Sequence, residues 1–360
     1  MRLELFRACS HRSQNGDVEN SDLSEILQRL FFFVALIISL FIIATYALSM
    51  GLGIVVMFST VEGLGFSQSS IAINPLLLAD LQVSVNAGLY FMFLWWIFAI
   101  CFAAAWRYKE SLSSKLRELR SGHLAQRAFR NNLLAMPIIT TMLLVAVYVL
   151  HFLQSQGGIP TGDPQVNDPF TDFLQFSRAP FVEELLFRIF PIGSFLAAYI
   201  FAVMKSTNTE LSRGQRLKAC FLSILQPERA KQYAGLKTIS EGGLFGGGMS
   251  WAEWIMVVFT ASLFGIAHYL GGWGPGKISQ AGLSGLVFAL AYLYYGAQAP
   301  FLLHWYSNYY FTVFNLSASY LSGIDFGSVV FSANLFLGAF MWIGFTFLVL
   351  LIILSRLLKS

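Results

Sequence analysis

From residue 30 to residue 58 the chain runs without one charged side chain. A membrane-spanning helix needs about 20 mostly apolar residues, and this run exceeds that. Lipid offers backbone N–H and C=O groups no partners, so only helices or closed barrels cross it. Seven further stretches read the same way, at 86–106, 133–153, 172–204, 251–270, 280–296, 299–318 and 331–354. The whole chain is 56% hydrophobic and 12% charged, against about 25% charged in soluble domains. The expected fold is all-α, a polytopic membrane helical bundle of about eight transmembrane helices.

Loop charges test that count. Arg107, Lys109, Lys115, Arg117, Arg120, Arg127 and Arg130 lie between the second and third spans. Lys205, Arg213, Arg216, Lys218, Arg229, Lys231 and Lys237 lie between the fourth and fifth. The segments 59–85 and 154–171 contain no Lys or Arg. Basic loops stay in the cytoplasm, so eight crossings with both termini inside place every basic loop correctly. Lys277, in a short outer loop, is the one dissenter. The modest net charge of +4 follows this loop bias and excludes a nucleic-acid surface. Cys9, Cys101 and Cys220 are scattered and imply no disulfide framework. The polar start of the chain does not resemble a cleaved signal peptide, and the first apolar run reads as a permanent anchor. The expected organisation is a polar cytoplasmic tail at 1–27, a three-helix membrane region at 28–169, a membrane core at 170–318, and a last helix with a short tail at 319–360. The glycine-rich stretch 242–248 reads as a flexible loop, because no Lys-Ser/Thr follows it to bind phosphate. Small residues at Gly282, Ser284, Gly285, Ala289 and Ala291 suit close helix packing. They suggest a compact core of spans four to seven, with the others around it.

Three polar clusters interrupt the apolar pattern. Glu183, Glu184 and Arg188 sit within the fourth span, His268 ends the fifth, and His304 and Asn308 share the seventh. A charged group in hydrocarbon costs at least ~2.5–3.5 kcal/mol, so such residues face a protein-lined cavity by default. Glu184 and Arg188, four apart, share a helix face and can pair. Glu183 is rotated by ~100° and is left free for chemistry. His304 and Asn308 are again four apart. A carboxylate, two imidazoles and a carboxamide can activate water and stabilise an oxyanion. Plainer readings stand beside each piece: a structural ion pair, a helix-end histidine, a polar link between helices. The fourth span is long and carries Pro191, which implies a kink or a strong tilt.

The order EExxxR (Glu183 to Arg188), FxxxH (Phe264 to His268), HxxxN (His304 to Asn308) resembles the CPBP family of intramembrane proteases. These are also known as the ABI or CAAX-processing proteases. Each motif alone is weak; the three together are specific, and the resemblance covers roughly 170–316. Ile189 stands where the common form has Gly, and Pro191 follows soon after. The resemblance implies a polar catalytic cavity and a glutamate-dependent endopeptidase acting on membrane-associated proteins or peptides, prenylated C-a-a-X chains among them. Glu183 would be the general base, with His268 helping to hold it. His304 and Asn308 would form the oxyanion hole, and Glu184 and Arg188 would orient the site. Two His and one Glu also match a zinc set, but no HExxH spacing is present, and metal-free hydrolysis without a cofactor is favoured. Two other classes stay open: a proton-coupled transporter using the same groups as a relay, and a non-catalytic scaffold or immunity protein. The absence of an internal repeat weighs against the transporter.

Overall fold

The computed structural model describes residues 2–74, 82–108, 111–114, 117, 129–162, 168–206 and 212–357. Most of the first basic loop therefore lies outside the described residues. The chain is a bundle of long helices. Helix α1 (Arg2–Ser59) is followed by the short α2 (Val61–Gln68), then α3 (Ala87–Arg107) and α4 (Asn132–Gln156). The fourth span is α5 (Pro169–Glu184), a π-helical turn (Leu185–Ile189) and α6 (Phe190–Ser206). Next come α7 (Arg213–Leu225), α8 (Pro227–Tyr233), α9 (Trp251–Leu270) and α10 (Gly276–Tyr295). The seventh expected span, which carries the third motif, is α11 (Gln298–Trp305), a π turn (Tyr306–Tyr310), α12 (Phe311–Ser317) and a further π turn (Ala318–Ser322), before α13 (Phe326–Leu357).

Seven helices among the described residues are long and apolar enough to cross a membrane. The one expected span not among them, 299–318, is helical and long enough but too polar to count with them. The reason is its place in the bundle. Every residue of α11 is buried, as are Tyr306, Tyr309 and Tyr310 after it. Protein surrounds these residues, so the polar groups of Gln298, His304 and the three tyrosines are shielded from lipid. Trp305 stacks on Phe98 at 4.0 Å and on Tyr309 at 3.9 Å. The Tyr309 hydroxyl donates to Ser49 O at 3.1 Å, the Tyr310 hydroxyl to Thr45 Oγ1 at 2.9 Å, and the Tyr306 hydroxyl to Asn334 Oδ1 at 2.5 Å. Gly53 makes room for this, since a Cβ there would overlap the Tyr309 hydroxyl. The first three spans and the last thus grip the central run directly instead of merely surrounding a separate core. Large apolar side chains such as Leu89, Ile100, Phe336 and Ile343 face outward, as lipid contact requires.

Two features depart from the sequence expectation. A two-stranded antiparallel hairpin pairs β1 (Ser70–Ile73) with β2 (Val83–Asn86), with Ser70 opposite Asn86. The glycine-rich segment 242–248 is fastened, not loose. Lys231 Nζ donates to Gly248 O at 2.7 Å and pairs with Glu253 at 2.9 Å, both side chains buried, and Lys237 Nζ donates to Gly246 O at 2.9 Å. Lys231, read from the sequence as a loop charge, is therefore structural.

The packing of α9 against α10 sets the site. Gly265 lies so close to α10 that a Cβ would stand 2.2 Å from Ile278 O. Gly285 faces Ala261 and Phe264 in the same way. Small residues let these two backbones approach.

Candidate active site

Glu183 and Glu184 are the last acidic residues of α5, immediately before the π turn Leu185–Ile189. Pro191 has no N–H for the preceding turn, and its ring crowds the carbonyl there. The ladder opens, and the Phe190 N–H reaches Leu185 O five residues back. A second π turn holds Asn308, just after His304. Single π turns inside α-helices occur frequently at functional sites. The expected kink in the fourth span thus takes the form of a π turn.

Glu184 is the hub. Its Oε1 accepts from Arg188 Nη1 at 2.9 Å, and both side chains are fully buried. The same oxygen lies 2.7 Å from His304 Nδ1. Arg188 is held on its other side by the Phe264 ring, 3.8 Å from the guanidinium carbon to the ring centre. Gly285 leaves it space, since a Cβ there would stand 2.7 Å from Nη2. The cation–π contact takes the place of hydrogen bonds for the Arg188 Nε and Nη2 atoms, which make none.

His304 is fixed by four contacts. Nδ1 donates to Glu184, its ring lies on Phe288 at 5.3 Å, and its Nε2 faces Asn308 Nδ2 at 3.3 Å and Glu183 Oε2 at 3.7 Å. With a proton on Nδ1, a neutral ring accepts at Nε2 from Asn308. A second proton at Nε2 creates an imidazolium between two carboxylates. In that state Arg188 and His304 balance Glu183 and Glu184, and the buried cluster is neutral. Glu183 Oε2 is buried without a hydrogen bond.

His268 stands apart from this cluster. Its Nδ1 is 2.9 Å from the Phe264 carbonyl oxygen, one turn back, so Nδ1–H donates and Nε2 carries the lone pair. It lies edge-on to Phe264 at 4.5 Å. Phe264 thereby separates Arg188 from His268 while touching both. Among the described contacts, none joins His268 to Glu183. A cavity of about 380 Å³ brings the pieces together, lined by His268, His304, Asn308, Phe264 and Phe288. Glu183 is not one of its lining residues and meets it through His304. Ser307 also lines it, but its hydroxyl donates to Leu303 O at 3.2 Å and has no basic partner, so a serine nucleophile has no activation here.

Residues 167–310 match the family model described as type II CAAX prenyl endopeptidase Rce1-like. Over these residues the chain is similar to the Rce1-like family. All six polar residues fall inside the Rce1-like region, in agreement with the resemblance carried by the three motifs. Comparison with curated proteins and with solved structures found no match. Apolar helices of membrane length complete the description of an integral membrane protein.

Hydrolytic zinc sites take three protein ligands and a water. In the Rce1-like region His304 Nε2 and Glu183 Oε2 converge, but no group of three or more His, Cys, Asp or Glu among the described residues is placed to hold a metal. The residues present do not form a zinc set, and no step below passes through one. Sequence reading missed the direct Glu184–His304 bond, because helix periodicity relates residues only within one helix. It also missed Phe288, which carries no signal in an apolar span. Gly285 was noticed as a packing residue, but its contact with Arg188 was not foreseen.

Proposed function

We propose that this chain is an intramembrane endopeptidase of the CAAX type, hydrolysing a membrane-associated protein or peptide with water activated by Glu183. What supports the reading is that His304 and Asn308 line one cavity within the Rce1-like region while Glu183 approaches His304 Nε2 from behind that lining. Glu183 removes a proton from water as the oxygen attacks the scissile carbonyl. His268, which lines the same cavity and carries its lone pair on Nε2, orients that water. The carbonyl becomes a tetrahedral oxyanion, which Asn308 Nδ2–H and His304 Nε2–H stabilise. Glu184 keeps Nδ1 of His304 protonated, which aims Nε2 at the reacting centre, and Arg188 holds Glu184. The C–N bond then breaks as the proton taken from water passes to the leaving amine. With the 298–322 run counted as a crossing, both basic loops and both termini lie on one side, which we assign to the cytoplasm.

The test is incubation of the purified protein in detergent with matched prenylated and unprenylated C-a-a-X peptides, read by mass spectrometry. Release of a C-terminal fragment is the expected result. Intact peptides throughout, from a well-folded preparation and across a varied peptide pool, contradict the proposal.

A further inference from the structure

Lys277 was the charge that fitted no topology rule, and the fold places it in the cavity. Among the described lining residues it is the only lysine, and no arginine or carboxylate accompanies it. No described carboxylate lies within ion-pair distance of it. Its ammonium instead lies 4.0 Å from the centre of the Trp273 ring. A half-buried cation with an aromatic contact, no ion-pair partner and the Glu183 charge only at longer range is available to an anion from outside.

The position is built, not incidental. The turn before α10 is fixed to residues 160–162: Gly274 N–H donates to Thr161 O at 3.0 Å and Gly276 N–H to Pro160 O at 2.9 Å. A Cβ on Gly274 would stand 2.4 Å from Pro160 O, so the contact needs glycine. From α4, Gln154 Nε2 donates to Gly276 O at 2.9 Å, and Gln280 Nε2 donates to Gln154 Oε1 at 2.8 Å. Trp273 N–H donates to His268 O at 3.2 Å, which ties the lysine's aromatic contact to the catalytic helix. Along α10, Lys277, Gln280, Ala281, Ser284 and Phe288 all line the cavity. Their spacing makes one continuous helix face. That face runs from the lysine to the ring stacked on His304. The rise from Lys277 to Phe288 is about 16 Å, part of which the lysine stem spans. An extended peptide covers ~3.3 Å per residue, so a few residues bridge the rest.

We propose that Lys277 binds the C-terminal carboxylate of the peptide substrate, so that the cavity recognises the free end of the chain a few residues beyond the cleaved bond. This rests on the peptidase reading above. An anionic lipid phosphate offers the same chemistry at the same cation, and the test separates the two.

The experiment measures binding without turnover, in a Glu183→Gln background. The probes are a fluorescent prenylated C-a-a-X peptide with a free C-terminal carboxylate and the same peptide as its C-terminal amide. The free acid is expected to bind about tenfold tighter than the amide, the size of one partly desolvated charge pair. Lys277→Met removes that preference, and Lys277→Arg keeps it. A preference that survives in Lys277→Met overturns the proposal, as does equal binding of acid and amide. Lys277-dependent binding of a short-chain anionic phospholipid, with no acid preference for peptide, assigns the cation to lipid and also overturns it. Acid-selective, Lys277-dependent binding by a protein that cleaves neither peptide upholds the subsite and counts against the peptidase reading alone. In active protein, Lys277→Met should raise KM for the free acid and leave kcat nearly unchanged.

Discussion

Arg188→Met is the perturbation that most sharply separates an ion pair from ordinary packing. Methionine keeps much of the side-chain volume but strands Glu184, whose side chain is fully buried. Opposite charges ~4 Å apart attract by about 4 kcal/mol at an effective dielectric of ~20. Loss of one partner of a buried pair costs about 3–5 kcal/mol, chiefly through the charge left behind. His304 Nδ1, 2.7 Å from the same oxygen, compensates part of this and places the estimate toward the lower end. Unfolding entropy near 2.1 cal/mol/K per residue makes one degree worth about 0.75 kcal/mol for 360 residues. The unfolding temperature in detergent, followed by tryptophan fluorescence, should therefore fall by about 4 °C or more. The double variant Glu184→Gln/Arg188→Met removes both charges and leaves His304 an amide oxygen to bond. It should recover a large part of the loss. A single variant that melts with the unmodified protein, or a double variant worse than the single by a full additive increment, would refute the orphaned-charge argument.

Three other outcomes follow from the same geometry. Gly285→Val puts carbon where Arg188 Nη2 and the Phe264 edge now lie, so it should cost about 1–3 kcal/mol by overpacking and lower turnover together, measured by melting and cleavage. Asn308→Ala should lower kcat by about 10²–10³ with an unfolding temperature close to that of the unmodified protein, because the amide's contact is made to a reacting group rather than to the bundle. Treatment with a zinc chelator should leave the cleavage rate unchanged, and loss restored by added zinc would reverse the assignment of the base to Glu183 acting without metal.

Much of the site was legible in the sequence because each motif is local. Glu184 with Arg188 and His304 with Asn308 are one helix turn apart, and their pairing needs only the helix period. The seven apolar spans were legible for the same reason, since lipid imposes composition and length. What was hidden depends on contacts between distant segments. The 2.7 Å bond between Glu184 and His304 joins two helices, and no spacing encodes it. Burial of α11 and of the tyrosines after it inverts the usual logic: His304, Tyr306, Tyr309 and Tyr310 read as a weak span but mark a run enclosed by the bundle. Lys231 and Lys277 show the limit of charge counting. One is buried against Glu253 and the other lines a cavity, yet both sit in stretches that read as loops.

The account turns on Glu183 as the group that takes the proton from water. The most direct test is single-turnover cleavage of one prenylated peptide by the unmodified protein and by Glu183→Gln, with matched unfolding temperatures to show that both are folded. The account predicts loss of cleavage in Glu183→Gln by several orders of magnitude with peptide binding retained. A folded Glu183→Gln protein that cleaves at a comparable rate would contradict it.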